Sequence, residues 1–313
     1  MKRISTYFLP VLLLLSIAGC SSDKSFLMTS TKIKNLPPLK FAKSTDPIPN
    51  KTFPYELNVE VSFSGELDIY MLINKEISKE DFKELVSKFE MSPIDNNYSY
   101  SKDTYTYNRK NNYETITAEQ KGIFTYSVNQ NTNSSNKKKV KLLTDTDAEK
   151  FARDYLTNAN LLPDDFYVSS ISDGLISTLA DGTKEIQNRK VVFNKKIRDK
   201  LVIGECKIVV YVGEEGLVEG VYSHYKDLRS CGKKQIKNIQ AALEDLNANR
   251  GLESFTKGVQ PVKCVVEKVE LCYYEGSEID NQPYLYPVYK MTGYTLDEKG
   301  NKYAYTGLVQ AVE

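Results

Sequence analysis

Three stretches of the chain repeat their apolar residues at helical spacing. In the first, Ser78 to Glu90, the residues Phe82, Leu85, Val86 and Phe89 share one face. Ser78 is placed as its N-cap, Asp81 sits where a capping box needs an acceptor, and Pro93 stops it. The second runs from Thr146 to Asn158 and opens on a capping box, Thr146-Asp147-Ala148-Glu149, with Ala148, Phe151, Ala152, Tyr155 and Leu156 in register. The third runs from Lys234 to Ala248, with Ile236, Ile239, Leu243 and Leu246 as its stripe and Gly251 as its stop signal.

After each of these, the apolar period drops to that of a strand. The first is followed by Tyr98–Tyr107, Tyr113–Thr117 and Gly122–Val128, and the second by Phe166–Ser172, Arg189–Ile197 and Cys206–Tyr225. Within the last of these, Ile208–Val212 and Leu217–Tyr222 flank Gly213-Glu214-Glu215-Gly216 and read as a hairpin. The third helix is followed by Val262–Glu275, Tyr284–Thr295 and Lys302–Val312, the last two joined at Asp297–Asn301. In Val262–Glu275 the apolar parity changes between Val266 and Val269. That predicts a β-bulge near Glu267 or Lys268, because a one-residue shift turns every side chain to the other face.

Helix followed by antiparallel strands, three times over, predicts an α+β protein of tandem units, each one helix packed on an antiparallel sheet. The expected divisions are a leader at 1–20, a flexible linker at 21–54, and units at 55–140, 141–232 and 233–313. Asn129–Lys141, with Val140 as its one apolar residue, reads as the loop between the first two units. This order of elements resembles the PepSY and cystatin-like unit and extracytoplasmic regulators built from such units in tandem. The resemblance covers residues 140–313 and extends less fully over 57–130. It implies binding or inhibition rather than catalysis.

The leader has its own pattern. Lys2 and Arg3 precede an apolar run from Tyr7 to Ile17, which closes on Ile17-Ala18-Gly19-Cys20. A charged start, a short apolar run and small residues at the cut make a secretory signal. Cysteine directly after the small residues is a lipobox, and the segment resembles that of bacterial lipoproteins. The resemblance implies that Cys20 is diacylated, that the chain is cut before it, and that the protein sits on the outer side of the cell membrane, held by lipid. The apolar run is about half the roughly 20 residues of a spanning helix. The linker carries Pro37, Pro38, Pro47 and Pro49 with six lysines among residues 23–51, and is expected to be solvated.

Without Lys2 and Arg3 the chain has 40 basic and 41 acidic residues, a net charge of −1. That balance, with no nucleic-acid-reading motif, argues against DNA or RNA as a partner. His224 is the single histidine, so no multi-histidine metal site and no triad independent of it can form within the chain. It is expected at a strand end on the surface, where its replacement costs little. Ser223-x-x-Lys226 has the spacing of a serine–lysine pair, but the same spacing recurs elsewhere and no companion motif accompanies it. Asp164-Asp165 and Glu214-Glu215 read as solvated turns, and no phosphate-cradling glycine loop is present. No catalytic residue, metal or cofactor is therefore assigned.

Cys206, Cys231, Cys264 and Cys272 form an even set in an oxidising compartment. Cys264 and Cys272 lie on one strand, about 26 Å apart at roughly 3.3 Å per residue, and cannot pair with each other. If bridges form, they are Cys206–Cys264 with Cys231–Cys272, or Cys206–Cys272 with Cys231–Cys264. The other reading is four thiols used as small apolar residues. Among 22 tyrosines, Tyr284 with Tyr286 and Tyr303 with Tyr305 fall two apart, the spacing of one sheet face. They are a candidate binding face for a sugar or peptide, set against ordinary cross-strand packing. The expected function is a lipid-anchored binding or regulatory module for an envelope protein, peptide or glycan. The alternative is an envelope hydrolase that works through carboxylates.

Overall fold

The computed structural model describes residues 36–39, 41, 53–89, 97–109, 114–128, 141–178, 182–276 and 282–313. Cys20, the rest of the leader and the loop at 129–140 lie outside them. The chain enters at β1 (Tyr55–Leu57) and β2 (Glu66–Ile73), followed by α1 (Lys79–Lys88). Then come β3 (Tyr98–Ser101), β4 (Thr104–Asn108), β5 (Glu114–Glu119) and β6 (Phe124–Val128). Helix α2 (Asp145–Asn158) leads to β7 (Phe166–Asp173), the small β8 (Ile176–Thr178) and β9 (Lys184–Ile186), β10 (Arg189–Ile197) and β11 (Lys200–Gly204). β12 (Lys207–Val212), β13 (Val218–His224) and β14 (Asp227–Gln235) precede α3 (Ile239–Asn247). The chain ends in β15 (Gly251–Ser254), β16 (Lys263–Glu275), β17 (Tyr284–Leu296) and β18 (Lys302–Gln310).

These strands do not make separate units. Sixteen of them join in one mixed sheet, ordered β14-β2-β17-β16-β11-β10-β12-β13-β6-β5-β4-β3. β7 pairs with β10, β1 with β16, and β18 lies between β17 and β15, while β8 and β9 form a small sheet of their own. The expected α+β arrangement of tandem helix-on-sheet units is thereby corrected to a large, mostly β architecture. Apolar period shows which face of a strand is buried but not which strand lies beside it, and here the partners cross both expected divisions between units. β2, early in the chain, pairs with both β14 and β17. β1 and β11 both run parallel to β16. The expected division between residues 232 and 233 falls inside β14.

The helices lie close to their expected positions. α1 has the expected box, in which the Asp81 N–H donates to Ser78 Oγ at 3.1 Å and the Ser78 N–H to Asp81 Oδ2 at 2.9 Å. The other two helices start elsewhere than expected. Thr144, not Thr146, caps α2 through the Asp147 N–H, and Asn238 caps α3, so that Lys234 belongs to β14. The bulge in β16 is where the parity shift put it, between Val266 and Lys268. Gly293 lies opposite, where an added Cβ would run into the Val265 carbonyl oxygen.

Three clusters of apolar residues hold the sheet. The largest packs Phe82 and Val86 of α1 and Ala152 and Leu156 of α2 on Phe193, Ile208 and Val221. The second packs Leu243 and Leu246 of α3 on Val266, Tyr289, Met291 and Tyr305. The third lies on the opposite face of β16–β17 and comprises Cys272, Tyr274, Tyr286 and Val288, covered by Leu36, Leu39 and Phe41. Part of the expected free linker is therefore packed against the fold, and Phe53 at its end is buried as well.

Candidate functional site

Where β13 ends, the parallel pair β11–β16 also ends, and ionisable side chains from both meet. His224 is 2% exposed, which corrects its expected place at the surface. Its Nε2 lies 3.6 Å from Glu275 Oε1 and its Nδ1 3.9 Å from Glu205 Oε2. Glu275, the last residue of β16, is 1% exposed and accepts the Lys226 ammonium at 3.0 Å. The backbone builds this spot by close approach. Gly204, at φ +99°, lies against the Glu275 carbonyl, where a Cβ would collide, and the Glu205 N–H donates to that same carbonyl at 3.2 Å. Ser223 alternates with His224 along β13 and is buried on the other face, so Ser223 and Lys226 do not form a catalytic pair.

The Tyr222 hydroxyl lies 3.3 Å from His224 Nδ1 and connects this cluster to a cavity of 400 Å³. The cavity lies between the β8–β9 arm and the exposed face of β6, β12 and β13. Its floor follows from register. Gly220 stands opposite Tyr211 on one side and Ser127 on the other, and Tyr222 opposite Val209 and Thr125. Two tyrosines thus border a glycine, with small hydroxyl residues across the strand. Leu175, Ser177, Gln187 and Asn188 form the opposing wall. Gln187 and Asn188 are buried and held in place: Gln187 Nε2 donates to Ser177 Oγ at 2.8 Å, and Asn188 Nδ2 to Glu219 Oε2 at 2.7 Å. The Leu175 N–H donates to Asn188 Oδ1 at 2.8 Å, which ties the arm to the sheet. Leu175 is 61% exposed, an apolar side chain at the mouth of a tyrosine-lined cleft.

A second, more open groove of 860 Å³ carries Glu76, Asp81, Asp103 and Glu119 beside Ser78 and Lys121. A hydrolase working through carboxylates needs one held protonated. Asp81 is instead held below the usual carboxylate range by the Ser78 hydroxyl and backbone N–H, and Glu119 pairs with Lys121 at 2.9 Å. Among the described residues, no group of three or more His, Cys, Asp and Glu side chains is placed to hold a metal ion.

The structure separates the tyrosines expected to form one face. Tyr286 is 1% exposed and belongs to the third cluster, with Tyr284 half-buried beside it. Tyr305 is buried in the second cluster on the opposite face, and Tyr303 is half-buried with its hydroxyl donating to Asp297 Oδ2 at 3.1 Å. Cross-strand packing claims them. The tyrosines that line a cleft, Tyr211 and Tyr222, were not selected from sequence. The readable signal was Gly220 within an apolar strand, since glycine there marks a close approach or an opening. Cys206, Cys231, Cys264 and Cys272 are not joined to one another by disulfides. Cys206, Cys264 and Cys272 each lie in a different cluster.

No family profile matches the chain, and no curated protein matches it in sequence. Among solved structures, it is similar to an uncharacterized protein from Eubacterium rectale at 12% identity and a TM-score of 0.47, covering 85% of this chain and 90% of that one. It is also similar to the C-terminal domain of YpeB from Bacillus megaterium, at 12% identity and a TM-score of 0.38, covering 76% and 99%. Neither likeness transfers an activity to this chain. Among the described residues no helix is long and apolar enough to cross a membrane.

Proposed function

We propose that the chain is a binding module, held on the outer side of the cell membrane by lipid on Cys20, that takes a glycan of the envelope into the cavity beside Gly220. The observation that carries this reading is the floor of that cavity. A sugar ring has apolar C–H faces and a rim of hydroxyls. Tyr211 and Tyr222 supply flat apolar walls, Gly220 leaves the depth between them, and the Thr125 and Ser127 hydroxyls with the Gln187 amide supply partners at the rim.

Gly220→Val is the direct test. A Cβ there meets the Tyr126 carbonyl oxygen at 3.3 Å and Tyr211 Cδ2 at 3.4 Å, a tight fit that a shift of a few tenths of an ångström relieves, and the methyls of valine beyond it take up space in the cleft. The variant should melt close to the parent and lose capture of soluble cell-wall glycan fragments. Capture unchanged in a folded Gly220→Val chain would refute the site; capture of envelope peptides and not glycans would refute the ligand. For the anchor, Cys20→Ala should abolish acylation and release the protein from the membrane.

A further inference from the structure

The third apolar cluster is incomplete without a segment that the sequence marks as linker. In the sequence Leu36-Pro37-Pro38-Leu39-Lys40-Phe41, residues 36–39 and Phe41 lie across the outer face of β16 and β17. Leu36, Leu39 and Phe41 are half-buried against Tyr274, Tyr286 and Val288, while Pro37 and Pro38 face solvent. The spacing is that of a polyproline helix, whose three-residue turn brings positions 36 and 39 to one side. Two polar contacts fix the segment. The Tyr286 hydroxyl donates to the Pro37 carbonyl oxygen at 2.9 Å, and the Leu39 N–H donates to Gln310 Oε1 at 2.9 Å. The Phe41 ring lies 5.4 Å from that of Tyr274.

Aromatic side chains that present a hydroxyl to the carbonyls of a proline-stiffened backbone are the means by which proline-rich peptides are recognised. The prolines lower the entropy of docking, and the exposed carbonyls accept hydrogen bonds. We propose that the outer face of β16–β17 is a binding site for proline-rich extended peptides of the form Leu-Pro-Pro-Leu-x-Phe. The chain's own Leu36, Leu39 and Phe41 fill it in cis. A partner carrying such a segment displaces the strap and gains the Tyr286 and Gln310 bonds. This face is separate from the cleft at Gly220, and the inference does not depend on what that cleft binds.

The probe is a fluorescent synthetic peptide of residues 32–45, and the readout is its polarisation with the full chain. The parent should bind it at least tenfold more weakly than Leu36→Ser with Leu39→Ser, because a tethered strap competes at about millimolar effective concentration. Adding Tyr286→Phe to the double variant should weaken binding about three- to tenfold, the loss of one hydrogen bond. A cooperatively melting double variant that does not take up the peptide would overturn the proposal, since the strap would then be only a fixed part of the fold. If the double variant fails to fold, a protease site placed between Phe41 and Phe53 allows the strap to be cut in the native parent. Labelled peptide should then replace the cut strap, and failure to exchange would overturn the proposal equally.

Discussion

Tyr211 with Tyr222 and Tyr284 with Tyr286 are similar pairs with opposite fates. Each pair lies on one face of one sheet. The first is half-buried, borders Gly220 and lines an open cleft. In the second, Tyr286 is 1% exposed, beneath a strap that comes from more than two hundred residues away. A tyrosine pair on one sheet face thus does not declare whether it binds a partner or fills a core. What decides is whether another part of the same chain covers it, and that is a long-range fact.

The comparison can be broken most strongly at Tyr286. Tyr286→Ala removes a buried ring together with the bond to Pro37 and should cost about 3–5 kcal/mol. Tyr211→Ala should cost less than about 1.5 kcal/mol while abolishing glycan capture. Urea unfolding of both variants at equal m-value separates these outcomes. Equal losses would mean that the two pairs are not different.

His224→Ala comes next. An imidazole removed from between Glu275 and Glu205 leaves a cavity and takes away a polar neighbour of a buried carboxylate. The expected loss is about 2–4 kcal/mol, read as a lower denaturant midpoint. A loss under about 0.5 kcal/mol would restore the surface placement that the sequence implies.

The alkaline limb of stability sharpens the same contrast. Burial pushes the Tyr286 hydroxyl up to about 12, and burial does the same to Tyr289. An unfolded tyrosine ionises near 10. Between these values the folded chain holds protons that the unfolded chain has lost, so stability is full below pH 10 and falls as pH rises from about 10 to 12. Melting temperatures across pH 8 to 12 should show this fall, and Tyr286→Phe should make it shallower. A parent whose melting temperature is flat over that range would contradict the burial of both rings.

The smallest effect concerns the cysteines and leaves stability unchanged. Burial, with Glu275 nearby, pushes the Cys206 thiol up to about 12, and burial with Glu270 pushes Cys272 up to about 11. Both stay protonated at neutral pH and react slowly. Iodoacetamide on the native chain should mark Cys231, which is half-buried, ahead of Cys206, Cys264 and Cys272. Labelling of Cys264 at the rate of Cys231 would contradict the packing of the second cluster.

Local features were legible in the sequence because local physics sets them. The α1 capping box, the β12–β13 hairpin and the bulge at Val266 each need only neighbours in the chain. The parallel seam between β11 and β16 joins residues some seventy positions apart and leaves no mark in apolar period. That seam brings Glu275 to His224, which is why the histidine reads as an ordinary strand end until its surroundings are assembled. The cleft at Gly220 was half legible. Glycine in an apolar strand is visible, but the β8–β9 arm that makes it a cavity comes from another part of the chain. The strap was hidden by its composition, since prolines and lysines read as a solvated tether, and only Leu36, Leu39 and Phe41 carry the packing.

The most direct test of the binding account is glycan capture by Gly220→Val beside its melting temperature. The account predicts a chain that melts within a few degrees of the parent and no longer retains cell-wall glycan fragments. A Gly220→Val chain that melts like the parent and retains the fragments as before would contradict it.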